Sequence, residues 1–504
     1  MGGLEHLLLG FQIAITPFNL VMAFTGIVLG TIIGVLPGLG GANGVAILLP
    51  LTFTMSPTSA IILLTSIYWG ALFGGAITSI LFNIPGEPWS VATTLDGYPL
   101  ARQGKGAQAL TAAFTSSFVG ALFAILLVSF FAQPLAELAL KFGPPEFFAI
   151  QLLTFSSFIG LGGGSPVKSF ASIMLGFILG AIGLDVVTGQ LRLTFGSIEL
   201  MRGMSFIVAV IGLFGLGEIL LTVEEGLHFR GVTPRVRFRD ILTTWRELSA
   251  YWRTFFRSAV IGFWMGFKPG GATPASFMSY GFARRFSRHP ERFGTGVLEG
   301  VVAPETAAHA AGVAAILPMI TLGIPGSPTA AVMLGGLLIW GLQPGPMLFV
   351  EKPEFVWGLI ASMYTGNVIG VLTVLFFVPA FAAILRIPFA VLVPLIVFVC
   401  AIGAYTVSNS MVDVWYMLGF GVLGYVFKKL DYPLAPLVLA LVLGDLAENA
   451  LRQSLIMSQG SLLIFAVRPI AAVITAAALV LFVLPILTPL LRRTRHRSAA
   501  TTHA

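Results

Sequence analysis

Four Pro-Gly pairs interrupt long apolar segments, and the backbone groups that they expose could bind ions. The pairs are Pro37-Gly38, Pro85-Gly86, Pro269-Gly270 and Pro325-Gly326. A helix broken inside a membrane has free N–H groups at the start of one half and free C=O groups at the end of the other. These groups must face protein or water. The N–H ends attract carboxylates, whereas the C=O ends suit Na⁺. The breaks therefore predict a site for an organic anion and a cation.

Glycines, hydroxyls and amides beside the breaks complete the predicted substrate site. In the first half of the chain the site comprises Pro37, Gly38, Gly40, Asn43, Pro85 and Gly86. In the second half it comprises Pro269, Gly270, Gly271, Thr273, Ser276, Pro325, Gly326, Ser327 and Thr329. Any single Ser or Thr in a membrane more often bonds a neighbouring helix. The cluster as a whole favours a binding site, because glycine lets a ligand approach the backbone.

A second set of polar residues near the breaks is predicted to couple transport to an ion. The set is Asn83, Thr93, Thr94, Asp96, Glu305 and His309. Asp96 could instead close a loop turn, and the i, i+4 pair Glu305–His309 could be a proton relay, a substrate contact or a structural pair. We expect no cofactor, with Na⁺ as a candidate coupling ion. Cys400 is the single cysteine, which excludes an internal disulfide and a cysteine metal cluster.

The composition requires that these residues be placed by membrane helices. Of 504 residues, 57% are hydrophobic and only 10% are charged, against about 25% in soluble domains. The mean hydropathy is +0.94. These values argue against a soluble enzyme, a nucleic-acid binder and a disordered chain. The net charge of +7 indicates Lys and Arg in cytoplasmic loops and not a nucleic-acid-binding surface. We predict an all-α integral membrane protein with about 11 transmembrane helices and two re-entrant hairpins.

The order of segments predicts two related halves. The first half, 1–223, has a re-entrant hairpin at about 18–55 and a broken helix at 84–88. A basic cytoplasmic linker with an amphipathic helix covers 224–256. The second half, 257–490, has a hairpin at about 257–283 and a broken helix at 324–328, before a basic tail at 491–504.

Basic residues orient these segments. They flank the second hairpin on both sides, which predicts a cytoplasmic position for it, a periplasmic N-terminus and a cytoplasmic C-terminus. The two hairpins then open to opposite sides of the membrane. Repeated order with opposite orientation predicts an inverted-topology repeat, which is typical of secondary transporters.

Three classes of function fit a polytopic membrane protein with broken helices. The first is an ion-coupled transporter, which the repeat favours. The second is a passive anion channel or uniporter, because channels also use half-helices. The third is a membrane-embedded enzyme such as a protease, for which Asp185 and Asp445 offer acids in no convincing pair. Dependence of uptake on an ion gradient separates the first two.

Several motifs resemble the large membrane subunit of the tripartite tricarboxylate transporters, from about residue 18 to about residue 490. They begin at Gly34 (GVLPGLG), Tyr68 (YWGALFGG), Asn83 (NIPG), Leu95 (LDGYP), Gly183 (GLDVVTG), Glu299 (EGVVAPE), Leu322 (LGIPG) and Glu448 (ENALRQSL). The resemblance implies a secondary transporter in the bacterial inner membrane for an organic carboxylate, such as citrate or another di- or tricarboxylate. It also implies a small four-helix membrane subunit and a periplasmic substrate-binding protein as partners. Uptake would be driven by Na⁺ or H⁺.

The chain departs from the family pattern at two places. Ala308 and His309 stand where the family usually has an Asn pair, and Glu87 stands where a small residue is usual. His309 suggests the hypothesis of proton coupling. Glu87 lies beside a predicted anion site, and the sequence offers no reason for a carboxylate there.

Overall fold

The structure is a computed structural model, and it describes residues 3–36, 39–161, 165–185, 188–225, 238–268, 270–384 and 389–483. Helices account for most of these residues. The first group is α1 (Gly3–Ala14), α2 (Pro17–Val35), α3 (Gly40–Leu48), α4 (Pro57–Phe82), α5 (Val91–Leu100), α6 (Gly106–Ala139), α7 (Pro144–Leu161), α8 (Pro166–Gly180), α9 (Phe206–Val210), α10 (Gly217–Glu225) and α11 (Phe238–Leu248).

The second group of helices follows the linker. It is α12 (Trp252–Gly266), α13 (Ala272–Phe286), α14 (Glu299–Ala314), α15 (Ile316–Leu322), α16 (Pro328–Ile339), α17 (Pro346–Glu351), α18 (Pro353–Ile384), α19 (Phe389–Ser408), α20 (Met411–Lys429), α21 (Leu434–Met457), α22 (Ile464–Val467) and α23 (Pro469–Val483). Short 3₁₀ segments cover Leu49–Thr54, Pro88–Ser90, Glu199–Arg202, Ser249–Tyr251 and Pro290–Arg292. Two π segments cover Ala101–Lys105 and Ile211–Leu216.

Within the described residues, nine helical stretches are long and apolar enough to cross a membrane. Shorter apolar helices accompany them, including Pro328–Ile339, which follows the second helix break. A two-stranded sheet, β1 (Gly183–Leu184) and β2 (Leu191–Arg192), is the β-structure in the described part of the chain. The prediction of an all-α integral membrane protein is confirmed.

The chain forms two compact units. Unit 1 comprises Met1–Glu137 and Ile207–Val426, and unit 2 comprises Leu138–Phe206 and Phe427–Ala504. All the predicted substrate and coupling residues that the structure describes lie in unit 1. Pro37, Gly38 and Pro269 lie outside the described residues, as do most of the basic linker and the whole basic tail.

Small residues bring the helices of unit 1 into close contact. Helix α2 packs along α4, and α12 packs along α14. A Cβ on Gly30 of α2 would lie 2.8 Å from the Cα of Ile67, and one on Gly266 would lie 3.0 Å from the Cα of Ala311. Small residues permit such backbone approach where lipid supplies no hydrophobic driving force. The first arm of each hairpin is therefore held against the helix that leads into a break.

Helix α11 lies within the segment 224–256, which stays a prediction as a cytoplasmic linker. Its Trp245 indole donates a hydrogen bond to Thr115 Oγ1 at 2.9 Å. Together with α6 and α18, this segment lines an apolar cavity of about 450 Å³.

Unit 2 contains helices α7, α8 and α21, which pack on one another. A cluster of four charges joins its sheet to α21. Asp185 pairs with Arg192 at 2.6 Å and with Arg452 at 3.0 Å, and Glu448 bonds both arginines. The hydrogen bond that the Arg192 guanidinium donates to Glu448 raises its pKa above the usual value. The Glu448–Arg452 pair at i, i+4 is therefore part of a larger network that fixes the β1–β2 turn.

Candidate functional site

The two helix breaks share one backbone geometry, 240 residues apart in the chain. Helix α4 ends at Asn83 in the left-handed region, with φ 58°, and α15 ends at Gly323 with φ 71°. In each case the next residue folds back on the helix. The Ile84 N–H donates to Thr78 O at 3.3 Å, and the Ile324 N–H donates to Pro318 O at 3.1 Å.

At each of the two helix breaks, the glycine of the Pro-Gly pair lies against the first arm of a predicted hairpin. A Cβ on Gly86 would lie 2.7 Å from Gly34 O, at the end of α2. A Cβ on Gly326 would meet Gly266 O, at the end of α12, and would lie 2.8 Å from the Ala315 Cβ. No larger side chain fits at either position. The first break is consequently held against the end of α2, and the second against the end of α12.

One extended residue connects each break to the following helix. Glu87 has φ −143° and Ser327 has φ −150°, and a proline follows both. The Ser327 hydroxyl accepts from the Ala330 N–H at 3.1 Å. The Glu87 side chain caps the next turn in the same way, through the Ser90 N–H. The two positions thus have equivalent capping roles.

The first hairpin meets the second break. Helix α3 contacts α16, and the Tyr68 hydroxyl donates to Ser327 Oγ at 3.5 Å. A Cβ on Gly41 would lie 3.2 Å from the Tyr68 ring and 3.4 Å from Thr329 Oγ1. The Gly41 N–H donates to Glu87 Oε1. Groups from both predicted halves therefore surround the start of α3, and Asn43 is buried in the same helix.

The second hairpin meets the first break in the matching way. Helix α13 contacts the 3₁₀ segment at Pro88–Ser90, where the Ser276 hydroxyl donates to Trp89 O at 2.7 Å. The Gly270 N–H donates to Gly326 O at 3.0 Å. Thr273 is half-buried in the first turn of α13, next to buried Gly271 and Ala272. The start of each hairpin's second helix is thus bonded to the break of its own predicted half, while the helix itself contacts the break region of the other half.

A buried carboxylate joins three helices of unit 1. Glu305 on α14 is 2% exposed. It accepts from Thr93 Oγ1 of α5 at 2.6 Å and from Ser117 Oγ of α6 at 3.2 Å. His309 Nδ1 lies 3.7 Å from Glu305 Oε2. The His309 Nε2 atom is buried without a hydrogen-bond partner among the described residues.

The other predicted coupling residues have different surroundings. Asp96 Oδ1 accepts from the N–H groups of Gly294, Gly296 and Val297 at 2.8–2.9 Å, and Oδ2 accepts from the Tyr280 hydroxyl at 2.8 Å. These contacts clamp the loop before α14. Two further members of the set are less enclosed. Asn83 is exposed, and the Thr94 hydroxyl donates to Val91 O in its own helix at 2.7 Å.

Comparison with known protein families assigns the chain. The model of the tripartite tricarboxylate transporter TctA family matches residues 20–439, which is most of the sequence and includes both helix breaks. The chain belongs to the TctA family. The resemblance found from its motifs is confirmed. TctA is a transporter family, and its name denotes the large subunit of tripartite tricarboxylate transporters.

Two relatives of this TctA chain come from Agrobacterium vitis. One, described as an uncharacterized 52.8 kDa protein in the TAR-I ttuC' 3' region, is 40% identical over 498 residues, or 98% of each chain. The other, described as an uncharacterized protein in the TAR-II ttuC' 3' region, is 39% identical over 224 residues. That match covers 44% of this chain and 93% of the relative. No solved structure matches the chain significantly.

Reasoning from the sequence did not identify three residues that lie near these sites. Tyr68 appears in the sequence only as part of a family motif, and no signal suggested that it reaches Ser327. Ser117 lies in a long apolar helix, where a lone serine usually bonds its own backbone. Tyr280 carries no local sign of its contact with Asp96. Each of these contacts joins segments more than 180 residues apart in the chain.

Proposed function

We propose that this TctA chain is the translocation subunit of a binding-protein-dependent secondary transporter that takes up an organic carboxylate with Na⁺ or H⁺. One observation carries the proposal. The carboxylate of Glu87 accepts a hydrogen bond from the Gly41 N–H, at the start of a half-helix beside a break. The backbone at this break therefore accommodates a carboxylate.

The groups around the same point suit the rest of an acid substrate. Free N–H groups at a helix start favour negative charge. Thr329 places its hydroxyl next to Gly41, where the Tyr68 ring also packs, and the Tyr68 hydroxyl donates to Ser327 Oγ. A hydroxyl can donate to a carboxylate or accept from a substrate OH. We propose that the substrate binds among these residues and the matching set at Ser276 and Gly270.

Glu305 is the residue best placed to couple transport to an ion. A buried carboxylate is costly unless its charge is compensated, so a bound proton or Na⁺ would favour the described arrangement. Thr93 and Ser117 supply oxygen atoms beside it. Within the described part of the chain, no three His, Cys, Asp or Glu side chains come together as metal ligands. Na⁺ at this point would therefore rest on hydroxyl and carbonyl oxygens with a single carboxylate.

The family and the charge pattern support a proposal for the partners and the location. We propose a small four-helix membrane subunit and a periplasmic substrate-binding protein as partners, in the bacterial inner membrane. The N-terminus would be periplasmic and the basic C-terminus cytoplasmic, since basic residues concentrate in cytoplasmic loops.

The test is uptake of a radiolabelled carboxylate into proteoliposomes that hold this chain and its two partners. Uptake is measured with an inward Na⁺ gradient, with an inward H⁺ gradient, and with neither. Accumulation above the outside concentration only with one gradient would support symport and name the ion. Equilibration without a gradient would mean a channel or uniporter and would refute the coupling role of Glu305.

A further inference from the structure

Glu87 places a negative charge at a position that the fold offers to an anion. Its carboxylate accepts from the Gly41 N–H, at the start of the nine-residue helix α3. A Cβ on Gly40 would lie 2.6 Å from Glu87 Oε1. Gly40 also has φ +54°, a conformation that glycine adopts without strain. The first residues of α3 thus leave room for a carboxylate to lie directly on them.

The second break provides an internal comparison. Ser327 occupies the position equivalent to Glu87, with nearly the same backbone angles. Its hydroxyl caps Ala330, as Glu87 caps Ser90. A serine therefore meets the structural need of this position. The additional feature of Glu87 is its reach to Gly41, which the local fold of a break does not require.

Occupation of the Gly41 N–H by Glu87 affects any ligand that binds beside it. A substrate carboxylate at the same N–H would have to displace Glu87 or lie next to its charge. Like charges that are close together and partly desolvated repel each other. The Thr329 hydroxyl lies beside Gly41, the Tyr68 and Ser327 hydroxyls bond each other, and none of the three carries a formal charge.

We propose that Glu87 is a specificity-determining residue, whose carboxylate fills one anion position and so excludes one carboxylate of the substrate. The wild-type chain then prefers acids with one carboxylate fewer than those preferred by the Glu87→Ser variant. This inference rests on the proposed function, because it concerns the same carboxylate site.

The test measures binding of butyrate, succinate and propane-1,2,3-tricarboxylate to the purified full-length chain in nanodiscs. Binding is followed by quenching of tryptophan fluorescence, with isothermal titration as a second readout. Glu87→Ser keeps a capping hydroxyl and frees the Gly41 N–H. Glu87→Gln is the matched control, because it keeps the side-chain length and an oxygen acceptor but removes the charge.

The expected result is a change in the ratio of dissociation constants. Glu87→Ser should favour the acid with one more carboxylate by about tenfold relative to wild type, the size expected for one charge-assisted hydrogen bond. Glu87→Gln should shift the ratio in the same direction by a smaller factor, and it serves as the test if Glu87→Ser fails to fold.

Two results would overturn the inference. If both variants weaken all three acids equally, or leave the ratios unchanged, Glu87 does not select among substrates. If the wild-type chain binds none of the three acids, the proposed function fails and this inference fails with it. The first result leaves the proposed function standing, so the two failures are distinguishable.

Discussion

Replacing Glu305 by glutamine should uncouple transport without unfolding the protein. The carboxylate is 2% exposed and accepts from Thr93 and Ser117. Glutamine has almost the same shape, and its amide oxygen can still accept from Thr93. The change from a charged to a neutral acceptor should cost about 1 kcal/mol. Glu305→Ala would leave the Thr93 hydroxyl without this acceptor and create a cavity, which should cost about 2–5 kcal/mol.

The assay compares two activities of the same proteoliposomes, which contain the chain and its partners. Gradient-driven accumulation requires the coupling ion, whereas exchange of internal for external substrate does not require net movement of that ion. Glu305→Gln should lower gradient-driven accumulation by at least about tenfold. The substitution leaves His309 as the one ionisable side chain of this described cluster. Exchange should persist.

Glu299→Gln is the matched control for this experiment. Glu299 lies on the same helix and accepts from Thr254 at 2.7 Å, but it is not part of the Glu305 cluster. Its variant should keep both activities. The coupling role would be refuted if Glu305→Gln accumulated substrate as well as wild type, or if Glu299→Gln lost accumulation to the same degree.

Three further predictions concern neighbouring positions. His309→Asn should change the pH dependence of uptake, because His309 lies 3.7 Å from Glu305; an unchanged profile would exclude a proton-coupling role. Asp96→Ala should lower the yield of folded protein, since each buried donor left unpaired costs about 1–3 kcal/mol. Tyr280→Phe removes one of the four hydrogen bonds to Asp96, so it should lower the yield of folded protein in gel filtration less than Asp96→Ala does. Equal losses for the two variants would contradict the role of Asp96 in holding the loop before α14. Gly30→Ala should destabilise the α2–α4 pair by about 1–3 kcal/mol, so unchanged thermal unfolding in nanodiscs would be inconsistent with the contact at Ile67.

The fold class could be predicted from the sequence because a membrane helix is recognisable from a local run of apolar residues. About 20 consecutive apolar residues are enough to indicate a span, and Pro-Gly in such a segment indicates a break. The break positions at Pro85 and Pro325 follow from this local chemistry. The left-handed turn at Asn83 is a less obvious case, because asparagine adopts that conformation less often than glycine.

The candidate site was less predictable, because its contacts join distant segments. Glu305 and Thr93 were both expected near an ion, but no spacing in the sequence indicated that they would form a hydrogen bond across 212 residues. The sequence does not decide whether Asp96 is a coupling acid or closes a turn. Its four hydrogen bonds come from Tyr280 and from the loop before α14, about 200 residues away in the chain. Glu87 had no explanation from the sequence, since its partner Gly41 lies on another element.

The proposed carboxylate site of this TctA chain lies at the helix breaks in unit 1. The most direct test is an experimental structure of the full chain with a carboxylate that it binds, selected from the series of three acids. We expect density for the acid beside the start of α3, in contact with Ser327 or Thr329. Density confined to another place, such as the apolar cavity lined by α11, would contradict it.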